Sequence, residues 1–259
     1  MDKFIYKNNQ LGITALSAKM NKFSYKKHAH EEYALGVTLK GIQEYKLEGW
    51  SKASYANGIM LFNPEQVHDG RARDYEEGLE YVMLYIKPEL FLQGLNKKEI
   101  LTFSEPIVYK EKLKWDIINL SKAILSGKNE ALTNELYLEL VDNFASKDFF
   151  KEYKNENSLV KKAKEIIFYE LDNVLYLEDI AKELNLSKFE FIRLFKANTG
   201  ITPYQYFLNS KLIHAKKYLE ITRDIYGAVV EFGFTDLSHF NRHYKRVYGL
   251  TPFQYISQL

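Results

Sequence analysis

The sequence predicts an α+β chain: an N-terminal β-barrel or sandwich with helices behind it, then an all-α region of two helix-turn-helix units joined by a connector helix. Three observations carry that prediction. Short β-rich runs punctuated by Gly and Pro fill most of the first hundred residues, apolar residues then recur at helical spacing, and the C-terminal region repeats itself.

The strands come first. Tyr33–Leu39 is β-rich and ends at Lys40-Gly41. Residues 42–47 alternate apolar and polar before Glu48-Gly49, and Asn57-Gly58 is a turn signal ahead of Ile59-Met60-Leu61-Phe62 and Asn63-Pro64. Leu79–Ile86 is a further strand, stopped by Pro88. Short strands at near-regular spacing suit a small barrel or sandwich.

The middle turns helical. Leu113, Ile117, Leu120 and Ile124 share one helical face, as do Leu132, Leu136, Leu140 and Phe144. The second stripe could join two subunits or pack on its own barrel. The polar run 151–157 reads as a linker, dividing the chain into domains 1–152 and 153–259.

The repeat lies in the second domain. Phe191-Ile192-Arg193-Leu194-Phe195-Lys196 and Gly200-Ile201-Thr202-Pro203-Tyr204-Gln205-Tyr206 are answered 49 residues later by Phe240-Asn241-Arg242-His243-Tyr244-Lys245 and Gly249-Leu250-Thr251-Pro252-Phe253-Gln254-Tyr255. Asn185-Leu186 answers Gly233-Phe234 at an offset of 48, so the second copy has one extra residue in its turn. Each copy reads as helix, turn, helix. Ser187 with Glu190 is a capping box, and Thr235 or Asp236 caps the matching helix. Phe191, Leu194 and Phe195 face inward, as do Phe240, Tyr244 and Val247. Lys188, Phe189, Ile192, Arg193 and Lys196 form the other face of the first helix. Leu237, Ser238, Asn241, Arg242 and Lys245 form that of the second, with His239 beside Ser238.

Physical chemistry points these faces at double-stranded DNA. An α-helix fits the major groove, an arginine can hold guanine by two hydrogen bonds, and the lysines one turn on suit phosphates. Two such helices on a rigid connector, Tyr204–Leu219, would enter successive major grooves roughly 34 Å apart. An amphipathic helix with one arginine is ordinarily just a solvated helix; two registered copies with the same exposed Arg and Lys make that reading the weaker one.

The second copy, Gly233-Phe234-Thr235-Asp236-Leu237-Ser238-His239-Phe240-Asn241-Arg242-His243-Tyr244-Lys245 with Tyr248-Gly249-Leu250-Thr251-Pro252, resembles the signature of the AraC/XylS family of bacterial transcription regulators. The resemblance covers about a hundred C-terminal residues. It implies that the two outward faces read bases and that RNA polymerase could be a further partner; the family leans toward activators, but these residues leave activator and repressor both open. The chain departs from the family at Phe189 and Ile192, where polar readers often sit, at Lys211, where arginine is usual, and at His239.

His28-Ala29-His30 and the run from Gly58 to His68 are similar to the cupin-like ligand-binding domain of such regulators, over roughly residues 27–70. That resemblance implies a double-sided β-barrel with an internal pocket, then helices that often pair subunits into a homodimer. The expected polar pocket members are His28, His30, Glu32, Tyr33, Asn63, Glu65 and His68, around a small-molecule effector the residues do not identify. Metal-binding cupins resemble this chain in His28, His30 and His68. Their glutamate would fall near Ala34 or Leu35, which cannot ligate, and Glu31 and Glu32 come too early. No metal and no cofactor is therefore expected, although three neutral imidazoles could bind zinc or nickel.

Composition narrows the alternatives. With no cysteine among 259 residues, thiolate metal sites, disulfides and cysteine nucleophiles are excluded. Residues 1–10 lack the pattern of a signal peptide and no window approaches the ~20 apolar residues of a membrane span, so a cytoplasmic chain is expected. Net charge is +2, and residues 158–259 hold 14 Lys+Arg against 11 Asp+Glu, a weak basic bias. A Gly-rich phosphate loop, His-Glu-x-x-His and a nucleophile elbow are missing from the sequence. A cupin metalloenzyme with a helical appendage, and a regulator whose barrel is only an interaction module, remain the competing functions.

Overall fold

The computed structural model describes residues 1–145, 147–151 and 156–259. The predicted linker at 151–157 and the boundary at 152/153 fall largely on residues outside that set. Chain contacts form two compact units, and residues 25–28 group with the helical one.

The N-terminal half runs β1 (Lys3–Asn8), β2 (Thr14–Met20), β3 (Ser24–His28), β4 (Tyr33–Lys40), β5 (Gln43–Leu47), β6 (Trp50–Ser54), β7 (Ile59–Phe62), β8 (His68–Ala72) and β9 (Leu79–Ile86). It continues with α1 (Pro88–Gly94), β10 (Thr102–Phe103), β11 (Ile107–Val108), α2 (Glu111–Leu125), α3 (Glu130–Asp142) and β12 (Phe150–Lys151). A six-stranded antiparallel sheet has the order β1-β2-β9-β4-β7-β11. A second sheet has β5 between β6 and β8. The first sheet ends at edges β1 and β11 instead of closing, so the barrel implied by the cupin resemblance is, in its hydrogen bonding, an open pair of sheets.

Alternation explains the layers. Tyr33, Leu35 and Val37 on β4 pair with Ile86, Leu84 and Val82 on β9, and all six point to one face. That face packs against Leu113, Ile117, Leu120 and Ile124 of α2, the predicted stripe. Leu140 and Phe144 join the same core, whereas Leu132 is 38% exposed. Leu136, half-buried, packs against that core too, so three of the four residues of the second predicted stripe serve the unit's own core. On the opposite face Phe62 of β7 meets Tyr45 of β5 at 5.1 Å and stacks on His68 of β8 at 4.2 Å between ring centroids. Aromatic rings therefore line the space between the sheets. Gly36 stands where a Cβ would fall 2.7 Å from the Met83 side chain, so only glycine fits there without a shift.

The helical half runs α4 (Ser158–Tyr169), α5 (Leu177–Glu183), α6 (Lys188–Thr199), α7 (Pro203–Thr222), α8 (Ile225–Glu231), α9 (Leu237–Tyr248) and α10 (Pro252–Ile256). Val160, Ala163, Ile167, Ile180, Phe191, Phe195 and Phe207 build the core of its first part. Ala228, Phe240, Tyr244 and Tyr255 are fully buried in its second part. Burying a phenylalanine such as Phe195 contributes about 1.5–3 kcal/mol, which fixes the inward face of each second helix.

Candidate functional site

Local signals place the two reading helices. Ser187 accepts from the Glu190 N–H while the Glu190 carboxylate accepts from the Ser187 N–H, closing the predicted capping box at α6. On α9 the cap is Asp236, which accepts from the His239 N–H at 2.6 Å; the alternative left open in the sequence was Thr235. The turn before α6 occupies residues 184–187 and that before α9 occupies 232–236, so Thr235 is the extra residue. Both helices end on a left-handed glycine, Gly200 and Gly249, with φ of 80° and 78°. Each is followed by a Thr-Pro-x-Gln capping box, at Thr202–Gln205 and Thr251–Gln254. The repeat in sequence is thus a repeat of helix start and stop chemistry.

Inward residues are as expected: Phe191, Phe195, Phe240, Tyr244 and Val247 are buried. On the other face of α6, Arg193 and Lys196 are exposed, Phe189 is 69% exposed, and Lys188 and Ile192 are half-buried. Lys188 pairs with Glu178 of α5, and that hydrogen bond holds the Glu178 carboxyl below the usual carboxylate range. On α9, Ser238, Arg242 and Lys245 are exposed, while Leu237, His239 and Asn241 are half-buried. His239 turns toward His243, at 4.5 Å between ring centroids, and its Nδ1 is enclosed without a hydrogen-bond partner. Burial, then the neighbouring His239, Arg246 and Arg242, pulls His243 down to about 4. Arg246, exposed in the last turn of α9, is a cation the sequence reading passed over; it stands next to Lys245 and only its helical position marks it out.

The expected effector residues separate into groups. His30 and His68 are brought together, 5.0 Å apart between centroids, with Phe62 and Tyr85 as neighbours; Tyr85 is 5.2 Å from His30. The His30 Nδ1 faces the Glu32 carbonyl at 2.8 Å and the His68 Nδ1 faces the Gln66 carbonyl at 2.8 Å. A carbonyl only accepts, so in the neutral ring Nδ1 carries the proton and Nε2 is the acceptor. His28 makes the same bond to the Lys26 carbonyl at 2.7 Å and lies 5.7 Å from the Tyr25 ring.

Tyr33 and Asn63 face other partners. The Tyr33 hydroxyl donates to the Leu101 carbonyl and accepts from the Leu101 N–H, its ring packs on Phe91 and Phe103, and burial pushes its pKa up to about 12. The Asn63 side-chain oxygen accepts from the Phe103 N–H at 2.8 Å. Glu65 is exposed at a left-handed turn position, φ 59°, and Glu32 is half-buried. Sequence reasoning missed Phe62 and Tyr85 as walls of the His30–His68 cluster, because the strand pairing that brings them there is long-range. Among the described residues no group of three His, Cys, Asp or Glu stands together to hold a metal ion. A groove of about 330 Å³ lies elsewhere, between the β1–β2 turn at Asn8, Asn9 and Gln10 and the α2–α3 turn at Gly127 and Lys128. It contains none of the expected effector residues.

A β-sheet unit followed by two capped helix-turn-helix copies is the layout of a regulator with a sensing part and a DNA-binding part. Comparison with known proteins agrees. Residues 10–141 match the model of the AraC-like ligand binding domain, and residues 180–258 match a helix-turn-helix domain model. The HTH-type transcriptional regulator YbfI of Bacillus subtilis is 27% identical over 235 residues, 85% of this chain and 82% of that protein. The MmsAB operon regulatory protein of Pseudomonas aeruginosa is 39% identical over 82 residues, 31% of this chain and 27% of its own. Unsaturated fatty acid-bound ToxT of Vibrio cholerae superposes with a TM-score of 0.63 at 13% identity, over 98% of this chain and 97% of that one. The chain belongs to the AraC family of transcription regulators, with an AraC-like ligand-binding domain followed by a DNA-binding helix-turn-helix domain. Among the described residues no helix is long and apolar enough to cross a membrane.

Proposed function

We propose that this regulator grips two successive major grooves with α6 and α9 and that a small molecule held in the N-terminal unit controls the grip. The observation that carries this reading is the matched pair of exposed cations. Arg193 and Lys196 on α6 recur as Arg242 and Lys245 on α9, each set on a helix capped at its start and closed by glycine. Arg193 and Arg242 are the base readers. Ser238 and Asn241 assist on α9, with Leu237 and His239 at its edge. Phe189 and Ile192 offer apolar contact to thymine methyl groups on α6. Lys196 and Lys245 hold phosphates, and Lys188 joins them at the cost of its pair with Glu178.

The domains are 1–152 and 153–259. The effector sits at the His30–His68 cluster between the sheets, where a few polar groups among aromatic rings would orient it. Glu32 and Glu65 are the outer members of the expected set, whereas Tyr33 and Asn63 are engaged by Leu101 and Phe103. The chain works in the cytoplasm as a homodimer, contacts RNA polymerase as an activator, and has a regulatory rather than catalytic task. The exposed Leu132 of α3 supports the dimer. Selection of bound duplexes from a random pool by the full chain tests the reading. Enrichment of two short motifs about one helical turn apart is expected, and a pool without enrichment, with or without candidate effectors, refutes it.

A further inference from the structure

Lys211 of α7 is only 5% exposed. Burying an ammonium group is costly unless it is hydrogen-bonded or faces negative charge. Its Nζ donates to the Asn173 carbonyl at 3.4 Å and lies 4.4 Å from the Phe207 ring, a member of the first helix-turn-helix core. Burial lowers its pKa and the Asp172 charge opposes that shift.

The second half of the contact comes from the other copy. Gly233, in the turn between α8 and α9, has φ +57°, and a Cβ added there would stand 3.1 Å from the Asp172 carbonyl oxygen and 3.3 Å from the Lys211 Nζ. Three segments therefore meet at one ammonium group: the Asp172–Asn173 loop after α4, the connector α7, and the Gly233 turn that leads into α9. The loop follows the C-terminal end of α4 and the turn follows that of α8. Helix C-termini present carbonyls with partial negative charge, which a cation stabilises. A methionine would fill the space and supply neither the charge nor the donor.

We infer that Lys211 is a positioning residue: its buried cation pins the Gly233 turn of the second helix-turn-helix unit to the Asp172–Asn173 loop of the first, and so sets the spacing between α6 and α9. This rests on the proposed two-groove reading. Linked modules gain affinity only when their geometry lets both engage at once. Loss of the strut would leave each helix able to read its own half-site and remove the advantage of reading two.

The test uses the full chain with Lys211→Met and Lys211→Arg, on a selected duplex carrying both half-sites and on duplexes with one half-site scrambled. Lys211→Met should bind the two-site duplex at least about tenfold more weakly, while each single-site affinity stays within about twofold and half-site spacing becomes less critical. Lys211→Arg keeps the charge and should restore two-site binding. Gly233→Ala, which crowds the same ammonium from the other side, should reproduce the selective loss. Equal binding of wild type and Lys211→Met to the two-site duplex overturns the inference. So does a parallel loss on two-site and single-site duplexes, which marks a merely structural role. A wild-type chain with no two-site preference refutes the functional reading itself, and the inference with it.

Discussion

His239 and His243 stand one turn apart on α9 with their ring centroids 4.5 Å apart and their planes at 71°. The pair sits behind the reading face, between Ser238 and Arg242 on the outside and Phe240 and Tyr244 in the core. The His243 pKa falls from 6.5 to about 4, with burial as the first cause. An unfolded chain takes up this proton near pH 6.5, and the folded chain refuses it until about pH 4. The unfolded state then binds more protons, so stability falls as pH drops through that window. Melting of the full chain between pH 7 and pH 4.5 should therefore show a steeper loss for wild type than for His243→Gln. Identical slopes would show that this ring does not set the acid response.

The arginines carry the sequence reading. Arg193→Ala and Arg242→Ala should each cost about 1–3 kcal/mol on the selected duplex and relax preference at one half-site only. Titration of each variant against single-base variants of the duplex measures both effects. Unchanged affinity and preference in both variants would place the reading faces elsewhere.

Lys245 has a different signature. It is exposed a turn beyond the base readers, so Lys245→Ala should weaken binding to all duplexes evenly and reduce the salt slope by about one. A loss confined to one sequence would make it a base reader.

The α9 cap separates two neighbouring residues. Asp236→Ala removes the acceptor for the His239 N–H and should cost about 1 kcal/mol of stability. Thr235→Ala should stay within about 0.5 kcal/mol, as for an exposed residue outside any cap. Denaturant melts that reverse this order would contradict the cap geometry.

The helical half was legible because its instructions are local. Ser187 with Glu190, and Thr202-Pro203 with Gln205, act over three residues, so the sequence alone shows where α6 and α7 begin. The strands divide by the same criterion. Tyr33–Leu39 and Leu79–Ile86 carry their own β-rich pattern. His68–Ala72 contains Asp, Gly and Arg and becomes a strand through its distant partner β5, whereas Trp50–Ser54 becomes one through the tight hairpin that joins it to β5 at Glu48-Gly49. Residues Glu44 and Arg71 pair across the sheet and are joined by an ion pair at 3.0 Å. Tyr33 and Asn63 read as pocket residues because their polarity is local and their partners, Leu101 and Phe103, are not. Lys211 showed itself only as a departure from family pattern; its neighbours Asn173 and Gly233 come from opposite ends of the helical half.

The most direct test of two-groove reading is a hydroxyl-radical footprint of the full chain on the selected duplex, repeated with Arg193→Ala and Arg242→Ala. The account predicts two protected patches on one DNA face, about 10 base pairs apart, with each substitution weakening a different patch. A single patch, or two patches that both substitutions weaken alike, would contradict it.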